Sequence, residues 1–423
     1  MYRCLLVGGA LSLALAADSF AQESHQHDMS SMSSGGIPAT REGSGTSWQP
    51  DESPMYAVHR PAGDWMLMVH GTAFLQYLDD GGNRGTNQAG SINWIMGMAQ
   101  RKAGAGQLAF RGMLSAEPWT IRGCGYPNLL ATGEACDGQA IHDRQHPHDL
   151  FMELAAQYSR PLGGGLHLQL YGGPVGEPAL GPVAFMHRAS AVPNPLAPVA
   201  HHWLDSTHIV YGVATAAVYG ARWKAEASVF NGREPDERRT DFDFGAVDSW
   251  SARAWFLPSS HWAFQVSAGH LNDAETPHDS GPRIDVDRMT TSAAYHRATL
   301  ENTMWATTVA WGRNAEHGGD ATNALMFESS VTMRDRHAIY GRAEWAKKSG
   351  HDLVVEPDHD IFPIAKLQGG YTRYLQPRRA WTPGVGAMVS LGIVPRSLET
   401  MYGGRVNAGV GVYLTLRPAA QEK

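Results

Sequence analysis

From Trp65 to Arg417 the chain alternates apolar and polar residues with a period of two, segment after segment. That is the signature of strands whose two faces meet different surroundings. The last segment shows it most plainly. Val406, Ala408, Val410, Val412, Leu414 and Leu416 fall on one face, opposed by Arg405, Asn407, Gly409, Gly411, Tyr413, Thr415 and Arg417. Likewise Trp223, Ala225, Ala227 and Val229 oppose Arg222, Lys224, Glu226 and Ser228. Around Asp149 to Ser159, Leu150, Met152, Leu154, Ala156 and Tyr158 oppose Glu153 and Gln157. No long stretch carries a 3.6-residue period with caps, so helices are expected only as short loop features.

Sixteen such segments begin near Trp65, Ser91, Gln107, Asp149, Leu166, His208, Ala221, Ala246, His261, Asp285, Thr303, Ala321, His337, Ile364, Thr382 and Arg405. Their connectors alternate in length. Gly163-Gly164-Gly165, Gly220, Pro258-Ser259-Ser260 and Arg334-Asp335-Arg336 are tight, whereas 118–148 and 174–207 are long. This alternation over an even strand count predicts an all-β fold, a transmembrane antiparallel outer-membrane β-barrel of about 16 strands (14–18). Short turns would face the periplasm and long loops the outside. A propeller would repeat about every 40 residues, and no such repeat is present. Trp65, Trp94, Trp223, Trp250, Trp262, Trp311, Trp345 and Trp381 lie near segment ends, where interfacial girdles sit. Glu153, Lys224, Glu226, Arg253, Arg342, Glu344 and Arg405 would point inward and set the field of the lumen.

Composition sharpens this reading. The chain has 47 Gly and 13 Trp but only 18% charged residues, which suits a β architecture with many turns. A net charge of -7 with no basic block argues against nucleic acid as a partner. No run of 18 apolar residues follows the first twenty or so, so a helical inner-membrane transporter is excluded and a barrel is not. Arg3, the apolar stretch from Cys4 to Ala17 and Ser19-Phe20-Ala21 read as a cleaved secretory signal over 1–21. Residues 22–63 are rich in Ser, Gly, Pro and His and read as a flexible periplasmic tail, leaving 64–418 for the barrel. Export leaves Cys124 and Cys136 within one Gly- and Pro-containing segment, where a small disulfide loop is expected.

The candidate chemistry lies in the histidines. Eight of the 20 fall between His142 and His208. Two clusters, 142–149 and 201–208, would lie at the outward ends of adjacent strands and converge with 231–237 at one side of the mouth. Imidazole and carboxylate at short spacing suit zinc or copper(II), with His142, His146, His148, His201, His202 and His208 as ligands. The same side chains could instead tie the loops to the wall by hydrogen bonds. Asp205-Ser206-Thr207-His208 also holds the residue types of a hydrolase, with Ser206 and His208 as its first candidates. In the tail, His25, His27, Met29 and Met32 supply borderline and soft ligands suited to copper.

The plan of signal peptide, His/Met tail and barrel resembles the copper-resistance B proteins of Gram-negative bacteria, although repeated Met-x-His-x-x-Met units are missing. The segments His142–Tyr158 and Gly172–Arg188, the latter with Gly173-Pro174-Val175-Gly176-Glu177-Pro178, look like uncharacterised exported proteins of proteobacteria. That resemblance implies compartment and fold and brings no activity. The leading expectation is a porin-like channel or metal-handling barrel in outer-membrane lipid. It would pass or handle a small polar solute or a metal ion, copper or zinc, and porin-sized barrels are often homotrimers. The alternatives are an outer-membrane enzyme acting on lipid or cell-surface substrate, and a closed structural or surface-binding barrel.

Overall fold

The computed structural model describes residues 36–275, 283–299 and 302–419. The expected signal segment and the ligands His25, His27, Met29 and Met32 lie outside the described residues.

Sixteen antiparallel strands close into one barrel. They are β2 (Trp65–Asp80), β3 (Asn87–Ala103), β4 (Gly106–Leu114), β7 (Phe151–Gly163), β8 (Leu166–Gly176), β9 (Val210–Tyr219), β10 (Trp223–Phe230) and β11 (Ser249–Ser259). The ring continues through β12 (Trp262–Glu275), β13 (Ile284–Thr299), β14 (Thr303–Glu316), β15 (Ala321–Met333), β16 (His337–Ser349), β17 (Ile361–Tyr374), β18 (Trp381–Ile393) and β19 (Val406–Pro418). β19 closes the ring on Ala73–Asp80 of β2. A short strand, β1 (Ala57–Ala62), hairpins onto Trp65–His70 of that same strand. Outside the ring, β5 (Tyr126–Cys136) and β6 (Gln139–Gln145) form a hairpin in the loop between β4 and β7. The Cys124–Cys136 disulfide staples it.

The period-two pattern has a direct cause. Val406, Val410, Val412, Leu414 and Leu416 of β19 are exposed on the outer wall, while Asn407, Tyr413, Thr415 and Arg417 are buried inside. The same division sets Val229, Phe256, Val266, Phe327 and Ile339 outward as a lipid-facing band. Two expectations fail locally. Met152 is buried inside, because a bulge opposite Met113 and Leu114 breaks the alternation of β7. Trp94 also faces inward and is not part of a girdle, whereas Trp223, Trp250 and Trp262 are exposed on the outside.

The lumen is filled. The loop after β8, residues 177–208, folds inward as a plug, and its Ala179, Leu180, Leu196, Val199, Trp203 and Leu204 are buried. Trp203 reaches the wall so closely that a Cβ at Gly312 would stand 2.3 Å from its carbonyl oxygen. Residues 36–56, expected as part of a flexible tail, pack beside this plug. Trp48 is 1% exposed, and Arg41 holds Asp51 through Nε at 2.6 Å. An ion-paired segment with a buried indole has enough apolar area and charge compensation to dock, which the polar composition concealed.

The inward charges brace this filling. Arg253 donates from Nε to Glu226 at 2.8 Å, from Nη1 to the Gly181 carbonyl at 3.0 Å and from Nη2 to Thr46 at 3.1 Å. Lys224 lies 3.1 Å from Glu226 and donates to Gln169. Glu226→Gln would therefore take from two buried cations the carboxylate they share, leaving Arg253 with Glu177 at 3.6 Å. We expect a loss of about 3–5 kcal/mol, read as earlier unfolding in a urea titration followed by tryptophan fluorescence. A change below about 1 kcal/mol would show that this network is not what stabilises the docked segments.

Candidate functional site

Five of the six loop histidines come together at the long-loop end of the barrel. His201 and His202 lie on a four-residue helix, His201–Leu204, and His208 ends the short turn that follows it. His146 and His148 arrive from the opposite side, on the segment between β6 and β7. His146, His148, His201 and His208 line one small cavity of about 30 Å³ with Asp149, Ser206, Glu234 and Arg239. That volume holds one ion with a water. His202 packs edge-on against His201 at 5.8 Å between ring centroids and against His146 at 6.5 Å. His142 does not join them: it sits on β6, its side chain more than a third exposed, with Nδ1 2.7 Å from Asp143.

Three of these rings are held in one tautomer. His148 Nδ1 lies 3.0 Å from Glu117 Oε2, His201 Nδ1 lies 2.8 Å from Asp205 Oδ1, and His208 Nδ1 lies 2.7 Å from the Asp205 carbonyl. Each acceptor requires a proton on Nδ1, so in the neutral ring Nε2 keeps its lone pair. This carboxylate-or-carbonyl backing is how proteins orient imidazole ligands for a transition metal. The His208 ring centroid lies 5.1 Å from that of His201 and 5.5 Å from that of His148. His202 Nε2 and His208 Nε2 make no hydrogen bond among the described residues.

The electrostatics agree. Burial pushes His146, His202 and His208 well below the ordinary imidazole value, and neighbouring cationic groups add to the effect. Burial alone would raise the Asp205 carboxyl, yet Arg188 and His201 hold it down at about 2. Imidazole nitrogens and carboxylate oxygens are the donor types a divalent cation takes, although these ligand atoms do not close to within 4.8 Å of one another as those of His270, Asp287 and His317 do.

The other expected residues have plain placements. Glu153 accepts from Tyr171 Oη at 2.8 Å and lies 3.2 Å from Arg111. Arg342 donates from Nε to Glu328 at 2.6 Å, and Glu344 accepts from the Ala200 amide at 2.9 Å. Lys224, Glu226 and Arg253 brace the filling. These six are buried and engaged with wall or plug, so they do not border an open path. Arg405 is exposed and precedes β19, outside the lumen network, because its loop leaves the ring one residue before the first ladder pair. Ser206 Oγ accepts from Arg288 at 2.8 Å, and no hydrogen bond joins it to His208 among the described residues. A nucleophile–base pair is thus not formed there.

Sequence reasoning missed two groups. His270, Asp287 and His317 meet on the outer rim, with His270 Nδ1 2.7 Å and His317 Nε2 3.2 Å from the Asp287 carboxylate. They come from three separate strand ends, and no spacing announces them. The second group surrounds His70 and His187 inside the barrel, and its signal was present: Met66, Met68 and His70 alternate along one face of β2.

No protein-family model matches the chain, and no curated protein matches it in sequence. Among solved structures, OmpF of Salmonella typhi in complex with daunomycin superposes with a TM-score of 0.52 at 9% identity, covering 85% of this chain and all of that one. OprB of Pseudomonas putida at high pH gives 0.52 at 7% identity, covering 83% of this chain and 94% of the other. The fold is that of the outer-membrane porins. At these identities the likeness is one of architecture, and it fits an outer-membrane location. Function has to come from the site.

Proposed function

We propose that this porin-type barrel handles a transition-metal ion, copper(II) or zinc, at the histidine site of its mouth. The observation that carries the reading is the trio His148, His201 and His208. Each has Nδ1 tethered to an oxygen acceptor, and all three line one ion-sized cavity beside Asp149 and Glu234. A purely structural loop cluster needs no such common orientation. Passage of small polar solutes belongs to the same reading only when the plug yields, since the described lumen is filled. A homotrimer in outer-membrane lipid is the assembly proposed with it.

The test is ion conductance of the refolded mature protein in a planar bilayer, with and without micromolar copper or zinc, beside zinc titration calorimetry. Saturable zinc binding that alters the conductance record supports metal handling. A folded protein that binds neither ion would remove this reading.

A further inference from the structure

Below the histidine site, toward the short-turn end, lies a larger cavity of about 150 Å³. Its wall includes five methionines, Met55, Met66, Met68, Met98 and Met186, with three histidines, His59, His70 and His187. An even spread of the chain's 17 methionines would place about one among its 24 lining residues. The strand register explains the concentration. Met68 pairs with His59 on one side and Met98 on the other, while His70 pairs with Met96. Period two then stacks Met66, Met68 and His70 on the inner face of a single strand.

The plug closes the chamber from above. His187 packs against Trp94 at 4.7 Å and His70 at 5.4 Å between ring centroids, and His70 Nε2 lies 3.0 Å from Met96 Sδ. Arg111, which also borders the cavity, is balanced by Glu153 at 3.2 Å. Phe185, two residues before His187, packs against His148, His201 and His208 at 5.3–6.1 Å. One short piece of plug therefore separates the two histidine groups.

We propose that this chamber is a second metal site, built for a soft monovalent cation: cuprous copper, with silver(I) as its redox-inert equivalent. Thioethers are soft neutral donors that bind copper(I) and silver(I) and hold zinc or copper(II) poorly. Met68, Met98 and Met186 with His70 and His187 supply a mixed sulfur–imidazole set in which the flexible methionines adjust to the ion. An ordinary barrel interior has no need of so many thioethers around an unfilled space. The proposal extends the metal reading above to a different ion, and it does not depend on passage through the barrel.

The experiment uses the full mature chain refolded in detergent. Copper(I) is presented anaerobically from a chromogenic chelator, and bound copper is examined by X-ray absorption. Met66→Leu/Met68→Leu/Met98→Leu keeps side-chain volume and removes three sulfurs. We expect it to lose one copper(I) equivalent together with its sulfur scattering, while zinc binding at the mouth is unchanged. Met29→Leu/Met32→Leu, a change confined to the N-terminal segment, should leave that equivalent in place. Should the triple variant fail to fold, methyl-labelled methionine NMR of the unaltered protein with silver(I) answers the same question, through shifts of Met68 and Met98. Retention of copper and sulfur scattering by the triple variant, or unmoved Met68 and Met98 methyls, would overturn the proposal. Loss of zinc binding with the chamber intact would count against the mouth site alone.

Discussion

Arg188→Ala is expected to turn a closed barrel into a conducting one. Arg188 is the main ionic anchor of the plug: it reaches Asp205 within the plug at 3.3 Å and Glu328 on the wall at 3.1 Å. All three side chains are almost fully buried. Removing the guanidinium leaves Glu328 to Arg342 and the Ser190 hydroxyl, and Asp205 to His201, at a cost of about 3–5 kcal/mol for a broken buried ion network. If that cost falls on plug docking, the released population rises by roughly 10²- to 5 × 10³-fold. Single-channel recordings should then show frequent large steps where the unaltered protein is nearly silent. Ser190 and Thr308 bond plug to wall at 2.9 Å, so Ser190→Cys/Thr308→Cys in the same background offers a lock. That barrel should stay closed when oxidised and conduct when reduced. A silent Arg188→Ala variant that is shown to be folded would mean that Ala200, Trp203 and Asn194 hold the plug without it.

The ring was legible in the sequence, and its filling was not. Each strand separates lipid from lumen, so each writes its own period-two record, and the expected starts at Trp65, Leu166, Thr303, Ala321 and His337 coincide with observed ones. The plug leaves no such record. Arg188 meets Glu328 across 140 positions, and Asn194 meets Gln368 across 174, so local pattern carries no trace of either contact. Residues 36–56 were hidden by composition, because one indole and a few charges do the docking that a tail of this kind normally lacks. The histidine spacing did reveal which loops to watch. It could not separate His142 from His146 and His148, since the β6 strand turns the first of these outward. The methionine chamber is the instructive omission: Met66-x-Met68-x-His70 reads as an ordinary strand until the register brings Met96 and Met98 alongside.

The mouth site makes the second large prediction, and it separates a ligand set from loop packing. His208→Gln removes one Nε2 donor, and Glu117→Leu removes the acceptor that orients His148. Glu117 is 0% exposed; its Oε2 accepts the His148 amide at 2.9 Å, and its Oε1 accepts the Asn93 amide at 3.1 Å. Loss of a carboxylate of this kind typically weakens metal binding by about 10- to 100-fold. His208→Gln should exceed that loss, and Glu117→Gln, which keeps an acceptor oxygen without the charge, should fall between Glu117→Leu and the unaltered protein. The order of zinc affinities by calorimetry is the decisive readout, because thermal stability would drop for Glu117→Leu under either account. If these histidines only tie loops together, zinc affinity will be weak and indifferent to all three changes, while stability follows the hydrogen bonds removed. If they are ligands, affinity will follow the number and orientation of Nε2 donors, and zinc will raise the melting temperature of the unaltered barrel far more than that of His208→Gln.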